Sequence, residues 1–137
     1  MERTEGVRAR GYRLPLPPHK IASRQAHRVL DWALEDWRVS GDAADNTRIV
    51  VSELVTNALT HSLDVFRLGL RLEGEEILVE VWDCTDARPT VTLPDGLSDD
   101  GRGMFLVEAL CKEWGVTPDD AGGKTVWAKI LRGGDDN

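Results

Sequence analysis

Phe66-Arg67-Leu68-Gly69-Leu70-Arg71-Leu72 alternates between apolar and polar positions, and it decides the fold because the sequence before it keeps a different period. Phe66, Leu68, Leu70 and Leu72 share one face of a strand, while Arg67, Gly69 and Arg71 take the other. Upstream, Val50, Val51, Leu54, Val55, Ala58 and Leu59 recur at helical spacing, after a start at Gly41-Asp42 where an acidic residue suits a helix N-terminus. An earlier stripe, from Ile21, Ala22 and Ala26 through Val29, Leu30, Ala33 and Leu34 to Trp37, predicts a first helix ending near Gly41. Downstream, Glu73-Gly74-Glu75 is a turn, and Ile77, Val79 and Val81 form the inward face of a second strand, which predicts a hairpin. The same parity aims Asp83 at the core, and an inward carboxylate at a strand end is unusual.

Towards the N-terminus, Tyr12 to Leu16 alternates but carries Pro15 and runs into Pro17 and Pro18, which predicts an edge strand and not a central one. Arg3 to Gly11 is expected to fray. Towards the C-terminus, Arg88 to Asp100 is a long loop of the kind that forms functional lids. Gly101-Arg102-Gly103 then opens a third helix through Met104, Leu106, Val107, Leu110 and Cys111. Trp114-Gly115-Val116 and Thr125 to Leu131, joined through Gly122-Gly123, predict a closing hairpin with Val126, Ala128 and Ile130 on one face. The expected organisation is a flexible segment over 1–11, one domain over 12–132 and a disordered tail over 133–137.

Composition narrows the function classes. The chain has 137 residues, 17 Lys and Arg against 24 Asp and Glu, and a formal net charge of −7. That acid excess argues against a nucleic-acid partner, which calls for concentrated positive charge. Apolar runs such as Ile77-Leu78-Val79 fall far short of the ~20 residues that span a bilayer, and no signal-peptide core follows the charged start, so a cytoplasmic protein without a membrane partner is expected. Cys84 and Cys111 have neither disulfide-framework nor zinc spacing and are expected to be buried thiols. Trp32 and Trp37 are expected to pack in the core.

Glu53, Asn57 and His61 lie four apart along one flank of the second helix. Such a row is ordinarily a solvated face, and a functional reading needs company from elsewhere. Asp83 can accept a hydrogen bond from an amino group in an apolar slot, and glycines at a helix start let backbone N–H groups approach phosphates. Familiar phosphate motifs fail: in Gly122-Gly123-Lys124-Thr125 the first P-loop glycine is replaced by Pro118, and Leu106 stands where a dinucleotide fingerprint needs its third glycine. No GxSxG occurs, and His19, His27 and His61 have no obvious serine or cysteine partner in sequence.

Ser52-Glu53-Leu54-Val55-Thr56-Asn57-Ala58, Gly101-Arg102-Gly103-Met104-Phe105-Leu106-Val107 and Gly123-Lys124-Thr125-Val126-Trp127, with Asp83 between the first two, resemble the ATP-binding fold shared by gyrase and histidine kinases, the Bergerat or GHKL fold. The resemblance is nearest to its single-domain branch, the bacterial anti-sigma factor serine/threonine kinases, and spans about Leu14 to Leu131. It implies an α+β, two-layer α/β sandwich with a mixed, mostly antiparallel sheet and helices on one face. It also implies ATP and Mg²⁺ as cofactors, an anti-anti-sigma partner of the STAS-domain type, a sigma factor as second partner, and pairing of two copies as a homodimer.

Carried over by residue, the resemblance makes Asn57 the Mg²⁺ ligand and Glu53 the general base for a partner's serine or threonine. Asp83 would accept from the adenine amino group, and Thr125 would support the adenine end. Gly101, Arg102, Gly103 and Met104 would close on the nucleotide, with Arg102 or Lys124 offsetting phosphate charge. One departure stands out: the family's Asp-x-Gly-x-Gly is Asp83-Cys84-Thr85-Asp86-Ala87 here, without either glycine. An alternative from another class is therefore a partner-switching module that has lost catalysis and binds nucleotide weakly or not at all.

Overall fold

The computed structural model describes residues 2–5, 9–62, 64–85 and 99–133. In chain order the elements are β1 (Glu2–Glu5), β2 (Ala9–Leu16), α1 (Ile21–Trp37), α2 (Gly41–His61), β3 (Phe66–Glu73), β4 (Glu76–Asp83), α3 (Asp99–Leu110), β5 (Glu113–Pro118) and β6 (Lys124–Leu131). The strands form one sheet in the order β1-β2-β3-β4-β6-β5. Every described pairing is antiparallel, where a mixed, mostly antiparallel sheet was expected. The lid expected over Arg88 to Asp100 falls almost entirely outside the described residues, and the helix after it begins at Asp99.

Strand alternation places the layers. Phe66, Leu68, Leu70 and Leu72 of β3, Ile77, Val79 and Val81 of β4, and Val126, Ala128 and Ile130 of β6 are buried beneath the helices. Each of the Phe, Leu, Ile and Val side chains among them contributes about 1.5–3 kcal/mol when fully removed from water. The helical stripes meet them with Leu30, Leu34 and Trp37 from α1, Val50, Leu54 and Val55 from α2, and Met104 and Val107 from α3. α1 packs on β2 and β3, and α2 packs on β4 and β6 as well as on both other helices. The result is the two-layer α/β sandwich, with helices on one face, that the resemblance implies.

Local details follow from backbone chemistry. α1 ends at Arg38, a left-handed residue at φ 58° whose N–H donates to the carbonyls of Leu34 and Glu35, the closing geometry glycine usually supplies. Arg132 Nη2 donates to the Trp37 carbonyl at 2.8 Å and ties the end of β6 to the end of α1. Gly74 turns the β3–β4 hairpin at φ 61°.

Three sequence expectations are corrected here. The segment expected to fray holds β1 and the start of β2, so β2 is not the sheet edge. β1 pairs only with Arg10 to Arg13, which leaves Pro15 beyond its reach and its missing N–H harmless. Trp32 is 49% exposed although Trp37 is buried, because Trp32 sits on the outer side of α1. Cys84 is exposed and not a buried thiol, since it follows the last strand residue of β4, beyond the covered layer; Cys111 is partly buried and packs against the core.

Candidate functional site

Asp83 is 1% exposed at the C-terminal end of β4, on the helix-facing side as its parity requires. Asn57 is 7% exposed, in the C-terminal part of α2. Topology brings these two ends together. After His61 the chain needs only residues 62–65 to enter β3, whose Arg67 pairs with Trp82 beside Asp83. α2 packs directly on β4 and β6, the strands that carry Asp83 and Thr125.

The polar row of α2 is thus not a solvated face. Among the described residues the Asn57 side-chain amide makes no hydrogen bond, and although the residue is 7% exposed its amide atoms are not sealed from water; the buried side-chain polar atoms without a hydrogen bond are Trp37 Nε1 and Arg71 Nε. An amide that keeps access to water and is not used by the described residues is free to bond a ligand. Glu53, one turn earlier, is half-buried, and desolvation raises its carboxyl above the ordinary glutamate range. A carboxylate poised in that way is a better proton acceptor at neutral pH than a solvated one.

Asp83 itself is already engaged. Lys124 Nζ donates to its Oδ1 at 2.9 Å and its Oδ2 at 3.1 Å, and the Thr85 N–H donates to Oδ1 at 2.9 Å. The last contact is an Asx turn, which bends the chain after β4 without the two glycines the resembling family has there. Lys124 is 2% exposed, so its charge is spent on Asp83 and does not reach solvent or a phosphate near the surface. Gly123, at φ 87°, makes the contact possible: a Cβ there would lie 2.3 Å from the Asp83 carbonyl oxygen.

Thr125 does not join this group. Lys124 pairs with Asp83 and faces inward, so the next residue, Thr125, faces outward opposite Trp82. It lines a hollow of about 730 Å³ on the outer face of the sheet, with Arg13, Pro15, Arg67, Gly69 and Trp82. The side chain of Met104 is 1% exposed and packs in the hydrophobic core, which leaves only its backbone for any ligand. Gly101, Arg102 and Gly103 belong to the first turns of α3, which starts two residues before Gly101. The C-terminal end of α3 is anchored where Lys112 N donates to Lys129 O, so the glycine-bearing turn is the end farther from that anchor.

Two contacts at this site were not legible in the sequence. Lys124 as the partner of Asp83 follows from strand parity once β4 and β6 are known to pair, a pairing that spans 41 residues. His27 Nε2 lies 2.6 Å from Ser52 Oγ, which supplies a serine partner for a histidine that has none nearby in sequence. That contact joins α1 to α2 immediately before Glu53.

The fold is thus a two-layer sandwich with a buried carboxylate, Asp83, at one strand end and Asn57, 7% exposed, on the covering helix. The family model described as histidine kinase-like ATPase domain matches residues 16–130, and the chain belongs to that family. Among solved structures it is similar to the RsbU and RsbW domains of Rv1364c from Mycobacterium tuberculosis, with a TM-score of 0.67 and 20% sequence identity over 88% of this chain. The chain spans 32% of the length of that one. No curated protein matches the sequence.

Proposed function

We propose that this chain is an ATP-binding regulatory kinase of the anti-sigma factor type, which phosphorylates a STAS-domain anti-anti-sigma partner on serine or threonine and otherwise sequesters a sigma factor. Family membership supports nucleotide binding, and the three motif strings support the anti-sigma branch. The observation that carries the reading is the pair of polar side chains set among the apolar ones, Asp83 at 1% exposure at the end of β4 and Asn57 at 7% exposure on α2, the latter without a hydrogen bond among the described residues.

The donor set fits Mg²⁺. Among the described residues no cluster of three or more His, Cys, Asp or Glu offers a complete metal site. Mg²⁺ with a nucleotide asks for less, since one or two protein oxygens suffice when phosphates and water fill the remaining positions. The Asn57 amide oxygen is the group that would hold it, and the ion would offset phosphate charge during transfer. Glu53 takes the hydroxyl proton of the incoming serine or threonine, aided by its raised pKa. Asp83 accepts from the exocyclic amino group of adenine.

The test has two stages. Titration calorimetry with Mg-ATP is expected to give saturable binding that is lost without Mg²⁺, and absence of heat at millimolar nucleotide refutes the kinase. Incubation with γ-labelled ATP and a STAS-domain partner is then expected to label the partner on serine or threonine. Two features favour a second reading, a switching module without catalysis: the missing glycines after Asp83, and the engagement of its carboxylate by Lys124. Binding without transfer to any cognate partner selects that reading.

A further inference from the structure

The strand register sets two rows of residues across the outer face of the sheet, the face without helices. Arg13, Gly69 and Glu80 stand side by side in one row, and Pro15, Arg67, Trp82 and Thr125 in the next. Gly69 carries no side chain, so the first row lacks its middle, and the hollow of about 730 Å³ lies there, a size usual for a small-molecule site. Arg13 is diagonal to Arg67 across β2 and β3, which sets the bases of the two side chains about 7–8 Å apart, within reach of one small ligand.

The carboxylates lining this hollow are engaged, and its guanidiniums are not. Glu80 Oε1 lies 3.9 Å from Arg71 Nη2, while Asp119 accepts from the Trp82 indole N–H at 2.9 Å and from the Ala121 N–H at 3.3 Å. Among the described residues Arg13 makes no hydrogen bond or ion pair, and Arg67 makes a ring contact alone, its guanidinium 5.2 Å from the centre of Trp82. In a chain with 24 acidic residues against 17 basic ones, two neighbouring cations without a carboxylate are out of the ordinary. A guanidinium resting on a ring keeps its N–H groups for an acceptor, and two like charges side by side repel until an oxyanion is shared between them. We propose that this hollow binds a small organic anion, a carboxylate or a phosphate ester, whose oxyanion is shared by Arg13 and Arg67 above Gly69. The site stands apart from the nucleotide reading, since Asp83 and Lys124 face the helix layer while their chain neighbours Trp82 and Thr125 face outward.

Benzoate and phenyl phosphate are the probes, with benzamide as neutral analogue and chloride at equal ionic strength as the screening control. Each is titrated into the isotope-labelled full chain, and the Trp82 indole signal, assigned by its loss in Trp82→Phe, is followed by NMR. At least one of the two anions is expected to shift that signal to saturation with a dissociation constant below about 1 mM, and the tighter one names the oxyanion; benzamide and chloride are expected to leave it in place. Gly69→Leu fills the hollow and is expected to abolish the saturable shift; a Cβ at that position meets Glu80 Oε1 at an ordinary 3.5 Å, so the fold accommodates it. Joint replacement Arg13→Gln and Arg67→Gln is expected to weaken the anion at least about tenfold and to leave Mg-ATP affinity as in the parent. The proposal is overturned if neither anion saturates, if chloride shifts the signal as much, if either folded variant binds the anion as tightly as the parent, or if the arginine variant loses Mg-ATP affinity in step. A parent that sediments as a dimer and a Gly69→Leu variant that sediments as a monomer assign the hollow to a second copy, which also overturns it. Should Gly69→Leu fail to fold, the arginine variant decides.

Discussion

His27 on α1 and Ser52 on α2 are joined at 2.6 Å between Nε2 and Oγ, and this contact fastens the first helix to the one that carries Glu53 and Asn57. Burial lowers the pKa of His27 from 6.5 and outweighs the opposite pull of the Asp31 carboxylate; Arg48, which binds Asp31 at 3.1 Å, pushes the same way as burial. A neutral imidazole can accept the Ser52 hydroxyl proton, whereas an imidazolium cannot.

A pH dependence of stability follows. The folded chain binds fewer protons at His27 than the unfolded chain does, so this contribution is complete above pH 6.5 and is lost as pH falls through and below that value. The melting temperature is expected to drop between about pH 7.5 and about pH 5.5, and His27→Gln is expected to flatten that drop. Thermal melts by circular dichroism at the two pH values check it; an equal slope in the variant removes His27 as the cause.

Glu53 has the opposite sign. Its folded carboxyl is raised above 4.5 by desolvation, so its ionisation costs stability as pH rises through the folded value. Glu53→Gln should therefore melt no lower than the parent at neutral pH while losing phosphotransfer, the usual trade between stability and function at a working site. Melting and transfer assays on one preparation test both halves, and undiminished turnover means another group takes the proton.

Asn57 and Leu54 lie one turn apart and should respond in different ways. Asn57→Ala removes an amide that makes no hydrogen bond among the described residues, so Mg²⁺-dependent ATP binding should disappear with little change in melting temperature. Leu54 is 1% exposed, and Leu54→Ala should cost about 2–5 kcal/mol in chemical denaturation. Unchanged ATP affinity in the first variant would remove Asn57 from the site.

Gly122 and Gly123 both sit at positive φ, yet only one has a neighbour. A Cβ on Gly122 meets nothing within 4 Å, whereas one on Gly123 meets the Asp83 carbonyl at 2.3 Å. Gly122→Ala should cost about 1 kcal/mol of backbone strain, and Gly123→Ala should cost clearly more, because β4 and β6 must also move apart. Urea titrations of the two variants compare them, and equal losses would show that the approach at Gly123 is not tight.

The site was partly legible for reasons of periodicity. The spacing of Val50, Leu54 and Ala58 gave α2 its buried face, and placed Glu53 and Asn57 beside it. Alternation through Ile77, Val79 and Val81 put Asp83 inside. The same rule applied to Val126, Ala128 and Ile130 turns Lys124 inward and Thr125 outward, which the motif resemblance obscured. Trp32 and the placement of β2 were misjudged because residue type and proline content describe tendencies of single elements.

What the sequence by itself determined, then, is which residues of each helix or strand share a face, since 3.6- and 2-residue periods are properties of the local backbone. Tertiary structure alone decided which faces meet: Lys124 with Asp83 across 41 residues, and His27 with Ser52 across 25. Such pairings depend on chain paths and strand order, and the energy that selects them comes from burying whole faces together and not from the residues that end up in contact.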